Sequence, residues 1–532
     1  MERHETGGSV KTEHYRERGW WTDEALWERY TAHAAARPDA LAVADDRGVE
    51  LTHSGLVAAG SKLAVELSGL GVKAGDLVLI VMPNRVEWLA SFAAVMSLGA
   101  VPMTIPVTTD AATMGYLCGL TDVAAIVTTT QSGNTLVAEA AMTAATALER
   151  PTAVLAVDSL DSVLTLARGA DLQRLVPLGD IAHVMTTSST TGMPKAVTHS
   201  TNTLAALNTC FAERFSLGPD TPILMVSPLG HSVGAIHGAR LSMYLGAPLV
   251  LQEQWDAERA MALASQYRCD FTSLATPFLK DFLDAPRPRD RDKLDPLRTL
   301  LCGGAAVPPV LIDQAETQMP DVFVSVLWGM TEGGVTTCLP TSSRDQRRDT
   351  AGCGLPGLEL SVVDDSLGRL ERGEAGELVM RGPGVFTGYL GQDDLYQELL
   401  TPDGYFRTGD LARIDPDGYL HLTGRLKDLI IRGGVNISPV IIEDVLAGHP
   451  EVRRVAVIGE PDERLGERLC AVVVAQPQAT LSLEDLVAWA SDRGLSRRQL
   501  PESLRVVEDM PVTAAGKIKK NQLRDQLFGG AV

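Results

Sequence analysis

Nowhere in the 532 residues is there an apolar run long enough to cross a bilayer, and the polar, charged stretch from Met1 to Gly19 has no hydrophobic segment of the kind a secretory signal needs. A cytoplasmic protein is therefore expected. Positive charge is in deficit: 47 Lys and Arg face 67 Asp and Glu, a formal net charge of -20. Such a field repels nucleic acid and anionic lipid, so any nucleotide site must be locally positive. Cysteines are few, seven in all, and scattered without close pairs, which leaves neither a zinc site nor a disulfide framework and points to buried free thiols. Repeats and low-complexity segments are absent as well. Lysine is the scarcest charged residue, ten against 37 arginines, so each lysine invites a reason.

What is present is a regular alternation. From about Trp20 to Pro320, short β-branched runs such as Leu77 to Met82, Val123 to Thr128, Ile181 to Met185 and Leu300 to Cys302 alternate with helical patterns. This is the pattern of parallel sheets covered by helices. Asn84, after Pro83, is the expected N-cap of a helix ending before Gly99. Beyond Gly354, closely spaced Gly, Pro and Asp separate short strands, as in a small antiparallel or barrel-like unit. A second α/β texture begins near Asp428, with a helix expected from Pro439 to Ala447 and strands around Val455 to Ile458 and Cys470 to Val474. The chain exceeds the roughly 250 to 300 residues at which one core stops growing. The expected fold class is thus α/β: a large domain of stacked α/β sheets with a small β-unit over residues 1–424, a hinge at 425–428, and a smaller mobile α+β domain over 429–532.

The stretch richest in chemistry is TTSSTTGMPK, Thr186 to Lys195, directly after an apolar strand. Its hydroxyls and amides can donate to phosphate oxygens, Gly192 permits close backbone approach, and Lys195 offsets charge. It lacks the Walker A spacing. Read alone, it is either a phosphate cradle or a polar surface loop. Lys517, in PVTAAGKIKK, is either part of an exposed basic tail or an ammonium placed against a phosphate or carboxylate.

These motifs occur in order with WGMTE (Trp328 to Glu332), YFRTGD (Tyr405 to Asp410) and GRLKDLIIRGGVNISP (Gly424 to Pro439). With them the chain resembles, over nearly its full length, the ANL superfamily of adenylate-forming enzymes. SPLGHSVGAIHG, ATPFLKDFL and LLCGGAAVP are most similar to the short and medium-chain or alicyclic acyl-CoA synthetases. The resemblance implies ATP-dependent adenylation of a small carboxylic acid, release of pyrophosphate, and acyl transfer to CoA, with Mg²⁺ as the metal. It assigns Thr187, Ser188, Ser189, Thr190, Thr191, Gly192 and Lys195 to the pyrophosphate end of ATP. Gly303, Gly304 and Ala305 go to the adenine and acyl pockets, Trp328, Gly329 and Met330 to the adenine side, and Thr331 to the α-phosphate. Glu332 would hold Mg²⁺, and Asp410 with Arg425 the ribose. Lys517 would bridge the substrate carboxylate and the α-phosphate, Lys427 would be the hinge, and Gly433 and Gly434 would face the pantetheine arm of CoA.

His231 matches the family's gating position beside the acyl carboxylate; a hydrogen-bonded core histidine is the alternative. Leu229, Gly230, Ser232, Ile236 and Thr276, with Trp328 and Met330, form the expected acyl pocket, which holds no charged side chain and suits an apolar or modestly polar acid. Ser189 and Ala196 replace two glycines of the usual phosphate loop; if either needs a positive φ, the side chain costs about 1 kcal/mol or more. That departure keeps open a carrier-protein thiol as acceptor, a diazotase that activates nitrite for an aromatic amine, and a nucleotide-binding regulator without turnover.

Overall fold

The computed structural model describes residues 9–148, 152–167, 180–187, 193–285, 297–513 and 517–529. Two large sheets dominate. One has nine strands in the order 353–354, 335–337, 323–329, 299–303, 271–275, 223–225, 249–251, 41–45 and 50–52. The other has eight, in the order 388–389, 196–200, 181–186, 101–104, 77–81, 125–128, 153–159 and 162–167. Their central strands pair in parallel, and Leu77–Val81 is buried at every position, as a strand covered on both faces must be.

The largest core lies between these sheets. It unites inward residues of both (Val43 and Phe271 from one, Val78 and Met185 from the other) with the helices His53–Gly69, Val86–Ser97, Thr201–Phe215 and Leu241–Leu245. Two further cores cover the outer faces, one beneath the helices Ala257–Gln266, Thr276–Asp284 and Pro309–Gln318, the other beneath Ala111–Thr121 and Val137–Thr146. Helix and sheet thus alternate in five layers, the arrangement that the alternating sequence pattern predicts. Residues 359–363, 375–381, 406–414 and 420–425 form a four-stranded antiparallel sheet. A five-stranded sheet follows from Ile430 onward, packed with helix Pro439–Ala447.

One cap differs from expectation. Asn84 does not cap a helix; Arg85 is the N-cap of Val86–Ser97, and its side chain makes no capping bond. The Asn84 amide instead donates to the carbonyl of Ser227 (2.9 Å) and accepts from the amide of Leu229 (2.8 Å). A buried Asn with two backbone partners 143 and 145 residues away gains more there than at a helix end. All seven cysteines are free, and six are buried. No helix among the described residues is long and apolar enough to cross a membrane.

Candidate active site

The polar strand–loop–strand around Lys195 is closed at its base, where the amide of Thr187 donates to the Lys195 carbonyl and the amide of Lys195 to the Thr187 hydroxyl, both 3.2 Å. Ser188, Ser189, Thr190, Thr191 and Gly192 lie outside the described residues. Ala196, where the family pattern has glycine, opens the strand Ala196–Ser200 in register with Thr186 and has no positive φ. The expected backbone cost is therefore absent at this position, because the residue belongs to the strand and not to the turn.

Lys195 leaves the loop to lie over the ring of Tyr389, its Nζ 4.6 Å from the centroid. The Tyr389 hydroxyl donates to Glu332 Oε1 at 2.7 Å. Burial raises the pKa of Glu332, while the Tyr389 hydrogen bond, Lys195 and Arg425 oppose the rise. A buried carboxylate held this way favours a nearby cation. Its neighbour Thr331 turns the other way: the Thr331 hydroxyl donates to Ser232 Oγ (3.2 Å), and its carbonyl accepts from His199 Nε2 (2.8 Å).

A second group forms around Asp410. Trp328 Nε1 donates to Asp410 Oδ2 at 2.8 Å, and Arg425 Nε donates to the other oxygen, Oδ1. The strand pairing that sets Asp410 opposite Arg425 makes this contact inevitable. Trp328 is 6% exposed, and its indole packs on Gly334, where a Cβ would come within 3.1 Å of the ring carbons. Gly303 is equally constrained, since a Cβ there would sit 2.1 Å from the Leu327 carbonyl oxygen. Ala305 accepts a 3.4 Å hydrogen bond from the hydroxyl of Thr276. Gly304 at φ +83°, Gly329 and Met330 line the ends of the same strands.

Lys517 reaches this region from the far end of the chain. Burial, then Arg425, lower its pKa to about 8, with Asp410 and Asp428 acting in the opposite direction. The pKa of Lys427 is lowered by burial and by Arg425, and Lys195 is among the charges that act on it. Lys195, Arg425, Lys427 and Lys517 thus gather around Asp410 and Glu332, and the site is locally positive in a chain of net charge -20.

The region expected to form the acyl pocket is built on an unusual element. Val233–Arg240 is a π-helix, a form found often at functional sites. Leu229, Gly230, Ser232 and Ile236 are buried along its entry and body. A Cβ on Gly230 would lie 2.1 Å from the Ile105 carbonyl oxygen. His231 is only partly exposed, and burial lowers its pKa to about 4, so its imidazole is neutral. His237, absent from the sequence-based site, is buried with Nδ1 3.1 Å from the Ser273 hydroxyl and its ring 4.4 Å from that of Phe211. Tyr389 was equally invisible to motif reasoning; only the paired strands 196–200 and 388–389 bring it to Lys195. Gly433 and Gly434 stand apart, in the exposed two-residue turn between strands 430–432 and 435–437, at φ +58° and +79°. A turn with two positive φ values requires glycine for its own closure.

The AMP-binding enzyme family matches residues 30–390, and the AMP-binding enzyme C-terminal domain matches residues 441–517. The chain belongs to the AMP-binding enzyme family. It is an ATP-dependent, AMP-forming ligase of the ANL superfamily. Among its relatives, the medium-chain fatty-acid–CoA ligase of Escherichia coli (strain K12) is 33% identical over 97% of this chain and 92% of that protein. The salicylyl-CoA synthase / salicylate adenylyltransferase of a Streptomyces species is 32% identical over 97% and 96%. Among solved structures, the amide bond synthetase McbA from Marinactinospora thermotolerans superposes with a TM-score of 0.81 at 27% identity, covering 94% of this chain and 99% of that one. ATP-bound MatB from Rhodopseudomonas palustris gives 0.82 at 25%, covering 94% and 98%.

Proposed function

We propose that this ligase adenylates a small carboxylic acid with ATP, releases pyrophosphate and transfers the acyl group to CoA. The observation that carries this reading is the convergence of Lys195 and Lys517, 322 residues apart in sequence, on Asp410, Arg425 and Glu332. An anionic oxygen must attack the phosphorus of a polyanion, so charge neutralisation and alignment are the main tasks. In this reading Lys517 bridges the acid carboxylate and the α-phosphate, Lys195 holds the leaving phosphates, and Thr331 contacts the α-phosphate. Asp410 with Arg425 receives the ribose, and Trp328 walls the adenine. Neutral His231 stands where acid and thiol meet, able to accept a proton but carrying no charge of its own.

Among the described residues no three His, Cys, Asp or Glu side chains form a metal cluster. A single buried carboxylate such as Glu332 fits Mg²⁺, which keeps waters and phosphate oxygens as most of its ligands; bound there, the ion would supply further neutralisation of phosphate charge. The free thiols, and the need for ATP and CoA, suit a reducing cytoplasm.

The domain division proposed is 1–424, hinge 425–428 and 429–532. In its favour, the backbone passes from the four-stranded sheet to the five-stranded one through the short turn Leu426–Asp428. The Ser438 hydroxyl donates across that turn to the Thr423 carbonyl, a contact that rotation would break. Lys427→Pro should then spare adenylation and impair thioester formation, read as separate half-reactions; equal loss of both would count against a hinge.

The decisive experiment is pyrophosphate release with aliphatic, alicyclic and aryl acids, each with and without CoA. The expected result is acid-dependent release that yields acyl-CoA. Acyl transfer only to a carrier-protein thiol, or AMP formation with nitrite and an arylamine but with no acid, would overturn the acceptor or the substrate respectively.

A further inference from the structure

Arg240 closes the π-helix and is 3% exposed. Among the described residues it has no hydrogen-bonding and no ionic partner, and its Nε is sealed from solvent with nothing to donate to. An unpaired guanidinium in a core is costly by several kcal/mol, so a buried charge normally finds a partner. Two other buried nitrogens lack one nearby. His183 hydrogen-bonds Thr104 through Nε2 at 3.1 Å, and its Nδ1 has no partner; Trp88 Nε1 has none either.

These groups belong to one neighbourhood. Trp88 stacks on Phe92 at 5.1 Å, Phe92 packs against His183 at 5.3 Å, and the charge of Arg240 acts on both His183 and His199. Burial and that charge keep both imidazoles neutral. Arg and Trp can only donate. Arg240 Nε and Trp88 Nε1 are therefore orphaned donors, the net charge is one positive, and their missing partner is an acceptor.

We propose that Arg240, beside His183, forms a buried receptor for a monoanion bearing acceptor oxygens, either a carboxylate or a small inorganic oxyanion. It lies in the layer between the two large sheets. It is tied to the reaction centre by His199, which bonds the Thr331 carbonyl, and by Ser232 at the start of the same π-helix. The carboxylate could be the second acid group of a dicarboxylic substrate, or the anion could be free in solution.

The test measures Tm of the full chain in sodium nitrite and in sodium formate, against sodium gluconate, too bulky for a buried site, at equal ionic strength. Wild type should gain about 2 °C or more in the small anions, and R240M should gain nothing. R240M in gluconate should be at least as stable as wild type, since it removes an unpaired charge. No gain in wild type, or the same gain in R240M, as an anion on the phosphate loop would produce, overturns the proposal. Should R240M fail to fold, bromide in wild-type crystals is expected to give an anomalous peak beside Arg240 Nε; water alone there overturns it equally.

The source is assigned by pyrophosphate release with glutarate and with hexanoate. A fall of about tenfold or more in kcat/KM for glutarate alone in R240M assigns the anion to the substrate's tail, and unchanged kcat/KM for both assigns it to a free ion. This last arm rests on the acid-adenylating reading, whereas the Tm and bromide arms do not.

Discussion

The nucleotide side and the acyl side of this site are built on opposite terms. Around Asp410 and Glu332 the charged groups are engaged: Arg425 and Trp328 hold one carboxylate, Tyr389 holds the other, and Lys195 lies on Tyr389. Around the π-helix the polar groups are neutral or unanswered, with His231 and His237 lowered to about 4 and about 3 and Arg240 alone in the core. The first region is arranged for a ligand whose chemistry never varies. The second leaves part of its hydrogen-bonding capacity uncommitted, at Arg240 above all.

The contrast can be broken most sharply at Lys517. Lys517→Ala is expected to lose adenylation by about 10² to 10³, measured as acid-dependent ATP–pyrophosphate exchange, because it removes the stabiliser of charge that develops only in the transition state. Wild-type exchange would take the lysine out of the mechanism. A smaller loss is expected for Tyr389→Phe. A hydrogen bond to a charged group is worth about 1.5 to 3 kcal/mol, so kcat/KM should drop about 10- to 100-fold. The Mg²⁺ concentration required for half-maximal rate should rise with it, which a merely structural role would not produce.

The third expectation concerns pH. In the proposed role protonated Lys517 is the working form, and burial has brought its pKa down to about 8. kcat/KM, which reports the free enzyme, should be level below pH 8 and fall about tenfold for each unit above it. Bound phosphate favours the charged form, so the corresponding limb of kcat lies at higher pH. Lys517→Arg keeps its charge throughout, and whatever activity remains should lose that alkaline limb; persistence of the limb would assign it to another group.

The nucleotide side was also the legible side. Lys195, Glu332, Asp410, Arg425 and Lys517 each sit in a motif whose residue types state their chemistry, and the structure brings all five together. The helix Pro439–Ala447 and the buried strands were legible for a different reason, since their signals are local: a proline at N1 and unbroken apolar runs. What failed to show was long-range. Asn84 reads as a cap until the backbone of Ser227 and Leu229 arrives beside it. Tyr389 gains meaning only from Glu332, 57 residues away, and Arg240 only from the partner it lacks. Ala196 looked like strain because one substituted glycine cannot reveal whether it belongs to the turn or to the strand.

Asp410 shows what the paired arrangement achieves. Both of its oxygens are engaged before any nucleotide arrives, one by an indole and one by a guanidinium. A carboxylate has roughly four acceptor directions, so about two remain, and their orientation is already fixed. The ordering of that side chain belongs to the free energy of folding, so on the proposed reading a ribose would meet a preorganised acceptor instead of one that must be immobilised at the moment of binding.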